Sequence, residues 1–453
     1  MVGVVSHTIH LTPQGILNLT EKFAHEVGTT LFYSGGSFAS AEKSFLCLFP
    51  YEFIWTKDQK LYRRHLGEQA VSVFDAIDPW ECLKGFLSGV NGDSPYPEWV
   101  GYLGYEMGAF SDKDKRLPCH SSSIPDSYFL RPSVVLALDN QTGLGTVFMC
   151  EEGDKYLSAE QRGWLNSSEE PHVSAEHSRL RPKKTNDSPE AYRQKVEAAQ
   201  ELIRAGDIYQ VNLSQKFVFQ GKRNPFELFL RVADINPAPF MAYIHFPQFA
   251  IISSSPERFL SKRGNTLETR PIKGTAPRGE TPELDFQSQE RLLSSPKERA
   301  ELLMITDLMR NDLGKVSITG SVKTRKIWHC EAYSNVFHLL SIICSEAKPE
   351  IHPLDVIRSC FPGGSITGCP KLRAMEVIDE LEQSARGIYT GSIGYLAHNG
   401  DFDFNIAIRT LLWEEDSIEV FLGGAIVADS DPRQEYEETL HKGASIFKAL
   451  DTI

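Results

Sequence analysis

The chain lacks most of what would place it in a specialised class. Its eight cysteines include no C-x-x-C pair, which argues against a zinc site. No stretch reaches the roughly 20 apolar residues that a bilayer span needs. Met1–Gly15 shows no basic region followed by an apolar run, so no signal peptide is expected. Positive charge is in deficit: 47 Lys and Arg against 60 Asp and Glu leave a net charge of -13. That excludes a general nucleic-acid or membrane-surface binder but leaves room for a small anion held by local donors. No internal repeat is visible. The expectation is a cytoplasmic protein with reduced thiols, no nucleic-acid partner and no membrane partner.

What is present is globular. The 453 residues, 41% hydrophobic and 24% charged, suffice for one large core or two to three ordinary ones. Strands and helices mix without regular βαβ alternation, which favours an α+β fold. Residues 1–164 form an N-terminal segment, 165–187 a polar stretch expected as a linker, and 188–453 the part with the sharpest signals. Leu17–Val27 has helical spacing, Thr30–Tyr33 and Ser44–Phe49 read as strands, and Trp99–Phe110 as a twisted strand. Ser188 and Pro189 predict a helix start, with Gly206 ending it. Asp207–Phe219 alternates with period two, placing Tyr209, Val211, Leu213 and Phe217 on one face. Lys297–Leu313 reads as a helix closed by Gly314. Tyr389–Trp413 reads as a hairpin with Asn399-Gly400 at its tip, and Ser417–Ala428 as a third strand. Asp431 and Pro432 open the last helix.

Four patterns carry chemistry. Arg270–Thr275 reads R-P-I-K-G-T: Pro271 fixes its own φ, and Gly274 admits a turn that other residues resist. Lys273, held between them, is a candidate nucleophile, although most lysines are solvated surface charges. Residues 361–371, F-P-G-G-S-I-T-G-C-P-K, form a glycine-rich loop ahead of a helix, a junction suited to anions. Cys369-Pro370 stands where a nucleotide loop needs Lys-Ser/Thr, so a carboxylate is the expected ligand and a tight structural turn the alternative. Glu435, Glu438 and Lys442 fall on one helix face, and Glu298 and Glu301 repeat the spacing on another. Two such helices can hold a hard cation such as Mg²⁺; solvated acidic faces are the alternative. Arg409 is placed opposite Thr390 in the hairpin, where it would fork onto a carboxylate or pair with Asp403. Strict register puts Tyr389 and Arg409 on opposite faces, so a shared site requires a bulge or longer loop. His338, on an apolar strand, reads as a buried satisfied histidine or as a general acid near a leaving hydroxyl.

Taken together, G-D-I-Y-Q-V-N-L-S (206–214), S-S-P-E-R-F (254–259), R-P-I-K-G-T (270–275), R-A-E-L-L-M-I-T-D-L-M-R-N-D-L-G (299–314), V-F-H-L (336–339), the glycine-rich loop, R-G-I-Y-T-G-S-I-G-Y (386–395) and E-Y-E-E-T-L-H-K (435–442) resemble the chorismate-utilising enzymes. The match covers 188–453 in family order; residues 1–150 match loosely. Lys273 stands where anthranilate synthases carry alanine, and P-I-K-G-T looks like the aminodeoxychorismate branch of the family. The resemblance implies two large antiparallel β-sheets in a sandwich wrapped by helices. It implies Lys273 as nucleophile, Glu257 as base and His338 beside the leaving oxygen. It implies Mg²⁺ on Glu301, Glu435 and Glu438, and chorismate held by Gly274, Thr275, Thr367, Tyr389, Arg409, Gly423, Gly424 and Lys442. It implies a separate glutamine amidotransferase subunit as ammonia source. Ser34, Ser44, Pro237, Phe240 and Met241 loosely match a tryptophan pocket of relatives. Ala425 departs from the family's third glycine in G-G-G. Anthranilate synthase, isochorismate or salicylate synthase and a silent regulatory subunit are the rival readings.

Overall fold

Two long strands, Lys43–Lys57 and Ser127–Asp139, pair along most of their length and bend together where the register slips between Pro50 and Glu52. Each therefore serves two sheets. On one side of the bend the sheet continues outward through Leu144–Cys150 to Val4–His10. In the other direction it runs through Thr30–Tyr33, Phe240–His245, Ala250–Ser255, Thr410–Glu414 and Ser417–Ile426 to Gln210–Gln220. Beyond the bend the second sheet runs through Pro97–Leu103, Ser392–Ala397, Phe402–Asn405, Arg258–Arg263 and Thr266–Thr269 to Val336–Glu346. All of these pairings are antiparallel. The structure is a computed structural model and describes residues 4–36, 38, 40–87, 92–164 and 180–451.

Alternation puts apolar side chains on both sides of these sheets, so each sheet is buried twice. Phe45, Cys47, Val100, Tyr102, Ala242 and Ile251 fill the interior between the sheets. The outer face of the first sheet packs under Pro13–Phe23, Pro225–Ile235 and Pro432–Ala449. The outer face of the second packs under Pro79–Phe86, Pro296–Val316 and Pro353–Cys360. This is the helix-wrapped sandwich expected from the sequence.

Local signals mostly hold. Ser188 caps Pro189–Arg204 by accepting from Ala191 N–H, and Asp431 caps Pro432–Ala449 by accepting from Arg433 and Gln434 N–H. Several expectations are corrected. The helix begun at Pro296 runs through Gly314 to Val316, because packing on the second sheet outweighs the roughly 1 kcal/mol cost of an interior glycine. Tyr209 precedes its strand and is 65% exposed; Val211, Leu213 and Phe217 are buried, and so is the opposite face with Gln210, Asn212 and Ser214. Trp99–Phe110 divides into the strand Pro97–Leu103 and a 3-10 turn over Tyr105–Phe110. Of the expected linker, residues 165–179 lie outside the described residues, and Arg181–Thr185 is a strand paired with Gln210–Gln220. The hairpin ladder ends at Asn405, and residues 406–409 leave it before Thr410–Glu414 joins the other sheet. None of the eight cysteines is disulfide-bonded. No helix among the described residues is long and apolar enough to cross a membrane.

Candidate active site

Lys273 lies in a β-bulge. Strand Ile272–Pro277 pairs with Val336–Glu346 as Ile272 with Leu340 and Thr275 with His338, and the register slips between those pairs. Gly274 takes φ +83°, and a Cβ there would lie 2.9 Å from Glu298 Oε2. Bulges of this kind re-aim a side chain, here the lysine. Helix Pro296–Val316 packs against this strand and brings Glu301 to it. Burial pushes the Lys273 amine down and the Lys442 charge adds to that, while Glu301, Glu257 and Glu298 oppose it.

Glu257 is 4% exposed and is pushed up to about 7, chiefly by burial. Ser365 Oγ–H donates to its Oε1 at 2.5 Å and Ile272 N–H donates to the same oxygen at 3.3 Å. Lys273 and Glu257 thus shift toward each other, as in acid–base pairs tuned by environment. His338 is 2% exposed; its Nδ1 lies 3.0 Å from Thr275 Oγ1, and its Nε2 is buried without a partner. Burial, then the Arg409 charge, lower its pKa to about 3, so the ring is neutral. Tyr333 stands edge-on to it at 4.9 Å.

Tyr389 and Arg409 both lie outside the hairpin ladder, so strict register does not fix their faces. Thr390 and Arg409 both take left-handed backbone, at φ +59° and +51°, and Thr390 N–H donates to Ala407 O rather than meeting Arg409. Arg409 does not pair with Asp403, which Arg258 holds at 2.8 Å; its Nη1 instead donates to Asn236 Oδ1 at 3.4 Å. Tyr389 stacks on Phe421 at 5.3 Å, and a Cβ at Gly423 would fall 2.7 Å from its hydroxyl. Lys442 Nζ donates to Gly423 O at 3.2 Å and pairs with Glu438 Oε1 at 2.7 Å. A chain of neighbours therefore runs from Arg409 through His338, Thr275 and Lys273 to Lys442, Gly423 and Tyr389.

The acidic residues sit beside this chain. Glu435 is pushed up by burial and by Glu438, against a bond from Ser430 and the charges of Lys442 and Lys297. Glu301 is also pushed up, by burial with Glu298 and Glu438 adding, while Lys273 and Lys297 oppose. For Glu438 burial acts upward, but Lys442, Lys297 and Lys273 bring it below its ordinary value. A Cβ on Gly424 would meet Glu435 Oε2 at 3.3 Å, Lys442 Nζ at 3.5 Å and Glu438 Oε1 at 3.9 Å. Three carboxylates from two helices suit a hard divalent cation in donor chemistry. Among the described residues, however, no three such side chains are gathered closely enough to ligate an ion as they stand. Lys442 occupies one Glu438 oxygen.

The glycine-rich loop is more a buttress than a helix-end anion site. Its helix starts only at Lys371, after Gly368–Cys369 bridges to Gln210–Val211, and Lys371 is spent on Asp312 and Cys360 O. A short 3-10 turn, Gly364–Ile366, carries Ser365 to Glu257, and Thr367 Oγ1–H is turned onto Gly363 O at 3.0 Å. Beneath it Arg386, 2% exposed, pairs with Glu382 at 2.7 Å and donates to Asn212 O at 2.7 Å and Thr390 Oγ1 at 3.1 Å. Ser365, Asn212, Arg386, Glu382 and Lys297 were not singled out by sequence. All but Lys297 and Glu382 lie inside quoted motifs, where nothing local told them from their neighbours.

The five residues matched to a tryptophan pocket also converge. Ser34 N–H donates to Ser44 Oγ at 3.2 Å, and a Cβ on Gly35 would meet Met241 Sδ at 2.8 Å and Pro237 Cα at 3.1 Å. Phe240 and Met241 line a cavity of about 590 Å³, with Pro239, Arg258, Arg270 and Tyr395; Ser34, Ser44 and Pro237 are not among its lining residues.

A bulge lysine facing a buried glutamate, with carboxylate-bearing helices alongside, defines a class when set on this sandwich. The chain belongs to the chorismate binding enzyme family, whose model matches residues 50–448. It is 39% identical over 391 residues to aminodeoxychorismate synthase component 1 of Klebsiella aerogenes, covering 83% of this chain and 84% of that one. It is 38% identical over 422 residues to anthranilate synthase component 1 of Aquifex aeolicus, covering 86% and 83%. The crystal structure of anthranilate synthase component I from Streptococcus pneumoniae superposes with a TM-score of 0.77 at 30% identity, over 90% of this chain and 93% of that one.

Proposed function

We propose that the protein converts chorismate and ammonia into 4-amino-4-deoxychorismate through a covalent adduct on Lys273. The observation that carries this reading is Lys273 itself: an amine with a lowered pKa, aimed by a bulge and set near a base of raised pKa. The neutral amine attacks ring carbon C2; the two ring double bonds shift, and the C4–oxygen bond breaks. The proton that the lysine nitrogen loses leaves with the hydroxyl as water, while His338, neutral, hydrogen-bonds the departing oxygen through its Nε2–H and accepts from Thr275 at Nδ1. Ammonia then attacks C4, the double bonds shift back, and the C2–nitrogen bond to Lys273 breaks. Glu257 takes the proton that the incoming nitrogen loses and gives it to the departing Lys273 nitrogen, which leaves as a neutral amine. Two displacements leave nitrogen on C4; without the lysine, ammonia itself would add at C2.

Arg409, Tyr389, Lys442, Gly274, Thr275, Thr367 and the Gly423-Gly424 backbone hold the substrate carboxylates and ring. Glu301, Glu435 and Glu438 would hold Mg²⁺, which would neutralise the ring carboxylate. Ammonia comes from a glutamine amidotransferase subunit, and the product feeds a lyase that yields para-aminobenzoate for folate synthesis. Tryptophan, if bound, would occupy the cavity beside Phe240 and Met241. We place the enzyme in the cytoplasm. Anthranilate formation is the second reading, favoured by the identity to the Aquifex protein and opposed by Lys273.

Incubation with chorismate, Mg²⁺ and ammonium decides between them. Aminodeoxychorismate, with a Lys273 adduct trapped when ammonia is left out, is the expected result. Pyruvate with a fluorescent ortho-amino acid from this chain alone would overturn it. Lys273→Ala abolishes the first product while leaving chorismate binding largely intact.

A further inference from the structure

The strand Gln210–Gln220 carries a polar side chain used neither by the fold nor by the reaction above. Asn212 is 6% exposed, and its amide nitrogen is buried with no hydrogen-bond partner. The backbone around it is held on both sides: its N–H donates to Thr367 O at 2.7 Å, and its carbonyl accepts from Arg386 Nη2 at 2.7 Å. Register sets its direction. Asn212 stands opposite Ala425 and Ser214 opposite Gly423, so these positions share a sheet face, the one against which Tyr389 lies. The Asn212 amide is close enough to the Tyr389 hydroxyl to moderate the rise that burial causes there.

A buried N–H left unpaired costs about 1–3 kcal/mol, and native structures keep one where a ligand or an ordered water completes it. Here the donor adjoins Tyr389, and the residue's own backbone N–H meets Thr367 O, both positions assigned above to substrate. The carboxylate nearest along this wall, Glu382, is already closed off by Arg386 and by Ser214 N–H and Oγ–H. The Tyr389 oxygen can answer one of the two Asn212 N–H groups, which leaves the second N–H and the Tyr389 O–H converging with no protein acceptor for either. A ligand carboxylate has the lone pairs to accept from both.

We propose that Asn212 is a substrate-binding residue whose amide N–H donates to the same carboxylate that the Tyr389 hydroxyl holds. This rests on the functional reading above. The test uses the Lys273→Ala chain, which binds but cannot form the adduct, with chorismate affinity measured by calorimetry. Adding Asn212→Val, close in volume, is expected to weaken binding about tenfold while leaving the ligand-free melting temperature unchanged or higher. Adding Asn212→Asp, which sets a charge against the carboxylate, weakens it about a hundredfold or more. Unchanged affinity for the valine variant overturns the inference, whether its melting temperature holds or falls; a fall would mark Asn212 as the partner of an internal water. If the Lys273→Ala parent itself binds no chorismate, the functional reading fails and takes this inference with it.

Discussion

Ser365→Ala removes one hydroxyl and tests whether Glu257 works as a tuned base. Glu257 sits at about 7 because burial raises it further than the bonds from Ser365 and Ile272 and the Lys273 charge can hold it down. A hydrogen bond to a charged group contributes about 1.5–3 kcal/mol, and one pKa unit corresponds to about 1.4 kcal/mol. Loss of the 2.5 Å bond should therefore raise Glu257 by about one to two units. A base acts in its ionised form, so the acidic limb of kcat/KM against pH moves upward by the same interval. At pH 7 the ionised fraction drops from about half to between about one and ten per cent, a rate loss of about 5- to 50-fold. The loss recedes as pH rises through the new pKa. The assay is ammonia-dependent product formation across pH with free ammonia held constant. A uniform loss of rate with an unmoved acidic limb would refute the argument, since Ser365 would then act on something other than Glu257.

Three further outcomes follow from the same geometry. Glu257→Gln cannot ionise; the folded pKa of about 7 lies above the ordinary 4.5, so the wild-type contribution is complete below 4.5 and lost as pH rises through 7. The variant should therefore gain roughly 2–4 kcal/mol over wild type above pH 7 and nothing at low pH, read by chemical denaturation at both. Arg386→Met leaves Glu382 buried and unpaired and should cost about 3–5 kcal/mol, with a matching fall in melting temperature. Glu438→Gln should weaken Mg²⁺ binding at least about tenfold by calorimetry on the chorismate-loaded chain, while Glu437→Gln, its exposed neighbour, should not.

How far the sequence could be read depended on how local the cause was. Caps such as Ser188 and Asp431 act within one turn, and they stood where expected. The turn at Lys273 was legible because its proline and glycine neighbours constrain the backbone directly, whereas a role for its amine came from the family motif. The reach of Ser365 to Glu257 was not, because 108 positions separate them and only the assembled sandwich brings the loop over the strand end. The hairpin was read one step too far for a related reason. Its Asn-Gly tip is a local signal, but the departure at Asn405 is set by the other sheet, which claims Thr410–Glu414 as a partner for Ala250–Ser255. The alternative pairing of Arg409 with Asp403 is pre-empted by Arg258, which reaches Asp403 across 145 positions of sequence.

The interleaving of early and late strands has a consequence for how the protein is made. Pro97–Leu103 finds one of its two neighbours, Ser127–Asp139, soon after it emerges, but the other is Ser392–Ala397, about 290 residues later. At a synthesis rate of about 5–20 residues per second, that edge waits roughly 15–60 s for its partner. In the meantime Pro97–Leu103 is an apolar strand with one backbone edge unpaired, the kind of edge that invites other chains. The nascent chain thus spends most of its synthesis with one flank of the second sheet open. Slow translation or truncation past Leu103 should send it toward aggregates and chaperones rather than toward a stable half-molecule.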